Sequence, residues 1–118
     1  TQQPVLVHCT VGKDRTGVTV ALALAAADVE RDDVVADYAR TEALLPEWRS
    51  TSVVAHLRRL HPHARHLEDL ASKSPASVMA DLLADIDRRY GSAGDYLRAH
   101  GMTDDEVHEV KRVLVTAR

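Results

Sequence analysis

Apolar and polar positions keep the phase of a helix along most of this chain, and one short stretch near its start departs from it. Val5-Leu6-Val7 is a continuous apolar run, too short for a helix, and reads as a buried strand. From Thr16 to Ala27 apolar residues occur nearly all round, which predicts a helix packed on both sides. Asp33 to Leu45 predicts a second helix, with Val34, Val35, Tyr38, Ala39 and Leu45 near one face, ended by Pro46. Glu47 to Leu60 repeats the pattern with Trp48, Val53, Val54, Leu57 and Leu60, and Pro62 stops it. His63 to Leu70 reads as a short helix and Ser72-Lys73-Ser74-Pro75 as a break. Ser74 and Pro75 suit the N-cap and first position of a helix that runs to Tyr90, with Val78, Met79, Leu82, Leu83 and Ile86 inward and Gly91 closing it. Ser92 caps a short helix through Ala99, followed by Gly101. Thr103-Asp104-Asp105-Glu106 is a capping box for the last helix, with Val107, Val110, Val113 and Leu114 inward.

The predicted strand and the first helix are joined by His8-Cys9-Thr10-Val11-Gly12-Lys13-Asp14-Arg15-Thr16-Gly17. A tight loop between a strand and a helix turns successive backbone N–H groups inward at the positive end of the helix, which makes a pocket for a tetrahedral dianion. Cys9 is the chain's single cysteine, and Arg15 follows six positions later. A cysteine at the floor of such a pocket is pushed toward thiolate by the N–H dipoles, the helix terminus and the arginine. Thiolate is the nucleophilic form, so the loop implies attack on a phosphoryl group. A buried structural cysteine beside a salt-bridged arginine would explain Cys9 but not the clustering of Gly12, Lys13, Arg15 and Gly17.

The string HCTVGKDRTG resembles the signature loop of the cysteine-dependent protein tyrosine phosphatases, and is most similar to the bacterial tyrosine/serine phosphatase branch, whose loop carries Lys-Asp before the arginine. Cysteine and arginine at this spacing also occur in sulfurtransferases of the rhodanese type, so His8, Gly12, Thr16 and Gly17 carry the distinction. The resemblance implies an α/β phosphatase fold, a parallel sheet flanked by helices, with Val5–Val7 as its central strand. It implies that Cys9 is the nucleophile and forms a phosphocysteine intermediate. Arg15 would grip two phosphate oxygens through its planar fork. Backbone N–H groups of Thr10, Val11, Gly12, Lys13, Asp14 and Arg15 would hold the equatorial oxygens. Thr16 would donate its hydroxyl to the Cys9 sulfur, besides serving as a helix N-cap, and His8 would orient the loop and help lower the thiol pKa. Lys13 is either a cation on the pocket lip, which would favour phosphoinositides, or a solvated side chain. Asp14 is either the general acid that protonates the leaving oxygen or a salt-bridge partner bracing the loop.

Composition narrows the picture further. A chain of 118 residues suits one small domain, and a net charge of −3 gives no global case for nucleic acid. No apolar run reaches the length of a membrane span. A single cysteine excludes an internal disulfide. Only one strand is predicted, and a parallel strand needs partners. The chain therefore reads as the mostly α-helical C-terminal portion of a phosphatase domain. Residues 4–17 would hold the catalytic strand and phosphate loop, about 40–74 lid helices, and 75–118 the C-terminal helices. A preceding portion or a second chain would pair with Val5–Val7. The string Arg89-Tyr90-Gly91-Ser92, then Tyr96-Leu97, also resembles the C-terminal segment of the same family.

His56, His61, His63 and His66, with Arg58, Arg59 and Arg65, make the middle segment basic. His63 and His66 are spaced for a shared metal on a helix, but no thiolate or carboxylate pattern accompanies them. The stretch reads as a basic rim that attracts anionic substrates or as a solvated face, with no metal and no cofactor. The expected activity is a phosphoric monoester hydrolase, with phosphotyrosine, phosphoserine or phosphothreonine, and phosphoinositide as substrate classes. A phosphate-binding fragment without turnover and a sulfurtransferase are the alternatives.

Overall fold

Eight helices account for the architecture of the computed structural model, which describes residues 3–115. Thr1, Gln2 and residues 116–118 lie outside the described residues. In order, the helices are α1 (Arg15–Ala26), α2 (Arg31–Ala39), α3 (Thr41–Leu44), α4 (Glu47–Leu60), α5 (Leu67–Ser72), α6 (Ala76–Tyr90), α7 (Ala93–Ala99) and α8 (Asp104–Leu114). None is long and apolar enough to cross a membrane.

The expected α/β fold, a parallel sheet flanked by helices, is not what the chain forms. Among the described residues there is no strand. Val5, Leu6 and Val7 are 77%, 86% and 46% exposed. An apolar run becomes a strand only where a neighbour completes the hydrogen-bond ladder, and none stands beside it among the described residues.

The core lies where α1, α2 and α6 meet: Ala21, Val34, Tyr38, Met79 and Leu83 are buried together, with Val18, Leu24, Val35 and Leu82 against them. Small residues on α1 let its neighbours come close. A Cβ on Gly17 would stand 2.9 Å from the Tyr38 ring, so glycine there makes room for that side chain. Helices α7 and α8 close the opposite side of α1 through Ala93, Gly94 and Val107. Tyr90, Tyr96 and His100 stack beside them, with Tyr90 edge-on to Tyr96 at 5.0 Å between ring centres.

Helix α4 is different. It packs chiefly on α5, none of its residues is buried, and Trp48 is 71% exposed.

Several boundaries depart from expectation for physical reasons. The helix expected over 33–45 breaks at Arg40, because the Ser74 hydroxyl enters its ladder, donating to the Ala39 carbonyl at 3.2 Å and accepting from the Glu42 N–H at 3.0 Å. Ser74 is thereby taken from the expected N-cap of α6, where Pro75 stands instead. The helix expected from His63 starts only at Leu67, after His66 takes a left-handed φ of 61°. The expected caps of the last two helices are present: Ser92 accepts from Asp95 N, and Thr103 and Glu106 bond reciprocally.

Candidate active site

Residues 8–14 form a loop that leads into the first turn of α1. Gly12 takes a φ of 80°, and a Cβ there would meet nothing within 4 Å. Glycine is required by the dihedral angle rather than by crowding. The turn brings the Gly12 N–H to 3.2 Å from the Cys9 sulfur. Thr16, in the first turn of α1, faces the same atom. Its hydroxyl is buried without a hydrogen-bond partner of ordinary geometry, so its rotatable proton is free to turn to the sulfur.

These groups lower the Cys9 thiol to about 6. The Thr16 hydroxyl contributes most, followed by the backbone N–H groups of Thr16 and Gly12; desolvation opposes them, and the Val11 N–H adds the smallest contribution. Each donates to sulfur, and each donation is stronger when the sulfur is anionic. At neutral pH the thiolate predominates.

Arg15 is exposed, and its Nη2 donates to Thr10 Oγ1 at 3.1 Å. That hydroxyl occupies one prong of the fork expected to receive phosphate oxygens. Asp14 has a 60% exposed side chain and accepts from Lys13 Nζ at 2.8 Å. The Lys13 ammonium is turned inward: the residue is 3% exposed, and Nζ also donates to the Lys73 carbonyl at 2.9 Å. Neither a lip position nor a solvated one describes it. His8 is exposed, with Nδ1 3.3 Å from the carbonyl oxygen of Cys9.

Four residues distant in sequence complete the surroundings. Arg49 on α4 donates from Nη2 to the Thr10 carbonyl at 2.9 Å. Lys73, Ser74 and Glu42 form a latch behind Lys13, in which the Ser74 N–H donates to Glu42 Oε1 at 3.0 Å and Lys73 Nζ lies 3.6 Å from Glu42 Oε2. The Ser74 N–H, helped by Lys73, holds the Glu42 carboxyl below the usual carboxylate range.

A cavity of about 620 Å³ lies between α4 and α5 and is lined by Ser50, Val54, Arg58 and Glu68. One of about 520 Å³ opens beside the loop, between Asp14, Arg15, Tyr38 and Leu82. The donor geometry, not cavity size, singles out the loop as the candidate site. Among the described residues no group of three or more His, Cys, Asp or Glu is placed to hold a metal ion.

The family model described as Tyrosine phosphatase family matches residues 1–116. The chain belongs to this tyrosine phosphatase family. It is 37% identical over 122 residues to the triple specificity protein phosphatase PtpB of Mycobacterium tuberculosis, covering 96% of this chain and 44% of that protein. It is 30% identical over 110 residues to a tyrosine-protein phosphatase of Nostoc commune, covering 91% of this chain and 37% of that protein. The chain thus spans less than half the length of these two curated relatives. No solved structure is close enough to count as a match.

Proposed function

We propose that this chain carries the reactive centre of a phosphoric monoester hydrolase that works through a phosphocysteine intermediate. The observation that carries the reading is the loop at the start of α1 that turns the Gly12 N–H to 3.2 Å from the Cys9 sulfur and, with Thr16 beside it, lowers the thiol pKa. A thiolate so held attacks phosphorus; the P–O bond to the leaving group breaks, and the departing oxygen takes a proton. Water then attacks the phosphocysteine, releasing phosphate and returning the thiolate. The Thr16 hydroxyl eases that second departure. Arg15 would leave Thr10 to receive the phosphate, whose charge spreads over oxygens that face fixed N–H dipoles. Asp14, exposed at the loop, is the group we assign to protonate the leaving oxygen.

Membership of the family supports phosphotyrosine as substrate, and likeness to a relative named for triple specificity supports breadth toward phosphoserine or phosphothreonine and phosphoinositides. The inward Lys13 speaks against a direct role for its ammonium in choosing lipid headgroups. Helices α3–α5 are the elements we read as a cover. The exposed Val5–Val7 run supports a partner segment there, from a longer chain or a second one.

The test is hydrolysis of p-nitrophenyl phosphate with EDTA present, comparing wild type with Cys9→Ser. Turnover lost in the variant alone establishes a cysteine phosphatase. Phosphate binding without turnover would instead favour a binding module. Transfer of sulfur from thiosulfate to cyanide would overturn both in favour of a sulfurtransferase.

A further inference from the structure

One peptide unit of the loop is gripped from both sides. The Thr10 carbonyl accepts the Arg49 guanidinium at 2.9 Å, and the N–H of the same unit belongs to Val11, next to Gly12, whose own N–H lies 3.2 Å from the Cys9 sulfur. A trans peptide is planar, so its C=O and N–H point in opposite directions. A cation fixed on the carbonyl therefore holds the N–H toward the sulfur and the space before it. It also polarises the unit, which strengthens the donor at its far end.

Arg49 is built for this contact. It sits in the first turn of α4, the helix that is otherwise packed mainly on α5, and it is half-buried. Its Nε is buried with no hydrogen-bond partner, a cost the residue bears while Nη2 reaches the loop. Thr10 is thus bracketed by two arginines with separate tasks: Arg15 on the hydroxyl and Arg49 on the carbonyl. The other charged groups about the loop are accounted for, since Lys13 is committed to Asp14 and Lys73 O, and His8 lies at the exposed side of Cys9.

We infer that Arg49 is a positioning residue, which holds the Thr10–Val11 peptide with its N–H turned to the Cys9 sulfur and so makes the reactive loop depend on the docking of α4. The inference rests on the proposed cysteine chemistry, but its test does not need turnover.

The pH dependence of Cys9 alkylation by iodoacetamide is measured for wild type, Arg49→Met, Arg49→Lys and Arg59→Met, each checked for native helix content by circular dichroism. Arg59 is exposed on the same helix and serves as the control. Arg49→Met should move the midpoint upward from about 6, Arg49→Lys should restore most of it, and Arg59→Met should leave it unchanged. The rise should persist in high salt, which screens charges acting through space. Where p-nitrophenyl phosphate is turned over, kcat of Arg49→Met should fall about tenfold to hundredfold, the effect of losing one charge-assisted hydrogen bond. An unchanged midpoint in a folded Arg49→Met protein overturns the inference. So does a rise that Arg59→Met matches or that salt removes. A shifted midpoint in a protein without turnover would leave the role of Arg49 standing and count against the hydrolase alone.

Discussion

Cys9 titrates low because the Thr16 hydroxyl and the amides of the loop favour its anion, and this fixes the sign of the pH dependence. The folded thiol loses its proton at about 6, against 9.0 for an unperturbed one. Above that lower midpoint the native thiolate is formed and reactive; below it the thiol returns and reactivity is lost. Stability follows the same sign. The contribution of this group is fully present above the unfolded value and fades as the pH falls through the folded one. Alkylation of the native chain should therefore reach half its limiting rate near pH 6, and in denaturant should shift toward the range of a free thiol. A native midpoint above 8 would mean that Thr16 and Gly12 do not engage the sulfur. The members of this set were legible because they sit within eight residues of one another, in a string whose chemistry is local. The direction of Lys13 was not. Its ammonium turns inward to a carbonyl 60 residues away, and no local pattern announces such a partner. Arg49 carries no local signal for the same reason, reaching the loop across 39 residues from a helix face that reads as ordinary surface.

At the scale of elements, polar residues at helix ends divide by how far their partners lie. Thr103 and Glu106 satisfy each other within one turn, so that helix start could be read from spacing alone. Gly91 takes a positive φ and stands where glycine was expected to end a helix. Ser74 has the local signature of a cap, yet it is 2% exposed and bonds Ala39 and Glu42 instead. It joins the α5–α6 connector to the α2–α3 junction and, through Lys73, to the reactive loop. Ser74→Ala removes the partner of the part-buried Ala39 carbonyl and Glu42 N–H together. It should cost about 1–3 kcal/mol of unfolding free energy. The loss should appear as a lower denaturant midpoint with unchanged slope. The Ser74 N–H would still hold Glu42, so the variant should keep the acid sensitivity that comes from a carboxyl held below its usual range: stability present at neutral pH and lost as pH falls through that lowered value. A variant as stable as wild type would show that the latch is incidental.

Across the whole molecule, stability is distributed unevenly, and the reactive loop sits at the seam. One side is the packed core of α1, α2 and α6, where Met79 and Leu83 are each 1% exposed. The other is the α4–α5 pair, whose mutual contacts include the exposed Arg58–Glu68 ion pair and an open cavity of about 620 Å³. Exposed ion pairs contribute little, and α4 buries no side chain fully. The side-chain bonds that tie this pair to the rest run from Arg49 to Thr10 and through the connector at Lys73 and Ser74. Helices with few buried contacts open at a lower free energy than the global transition. Native-state hydrogen exchange should therefore find the amides of α4 exchanging faster than those of α6, by about tenfold or more. Phosphate or vanadate seated on the loop fixes the Thr10–Val11 peptide from the other side. Added anion should slow exchange in α4 as well as in the loop, and Arg49→Met should uncouple the two. If α4 and α6 instead open together at one rate, the pair belongs to the same cooperative unit as the core, and α4 cannot act on the loop separately from global unfolding.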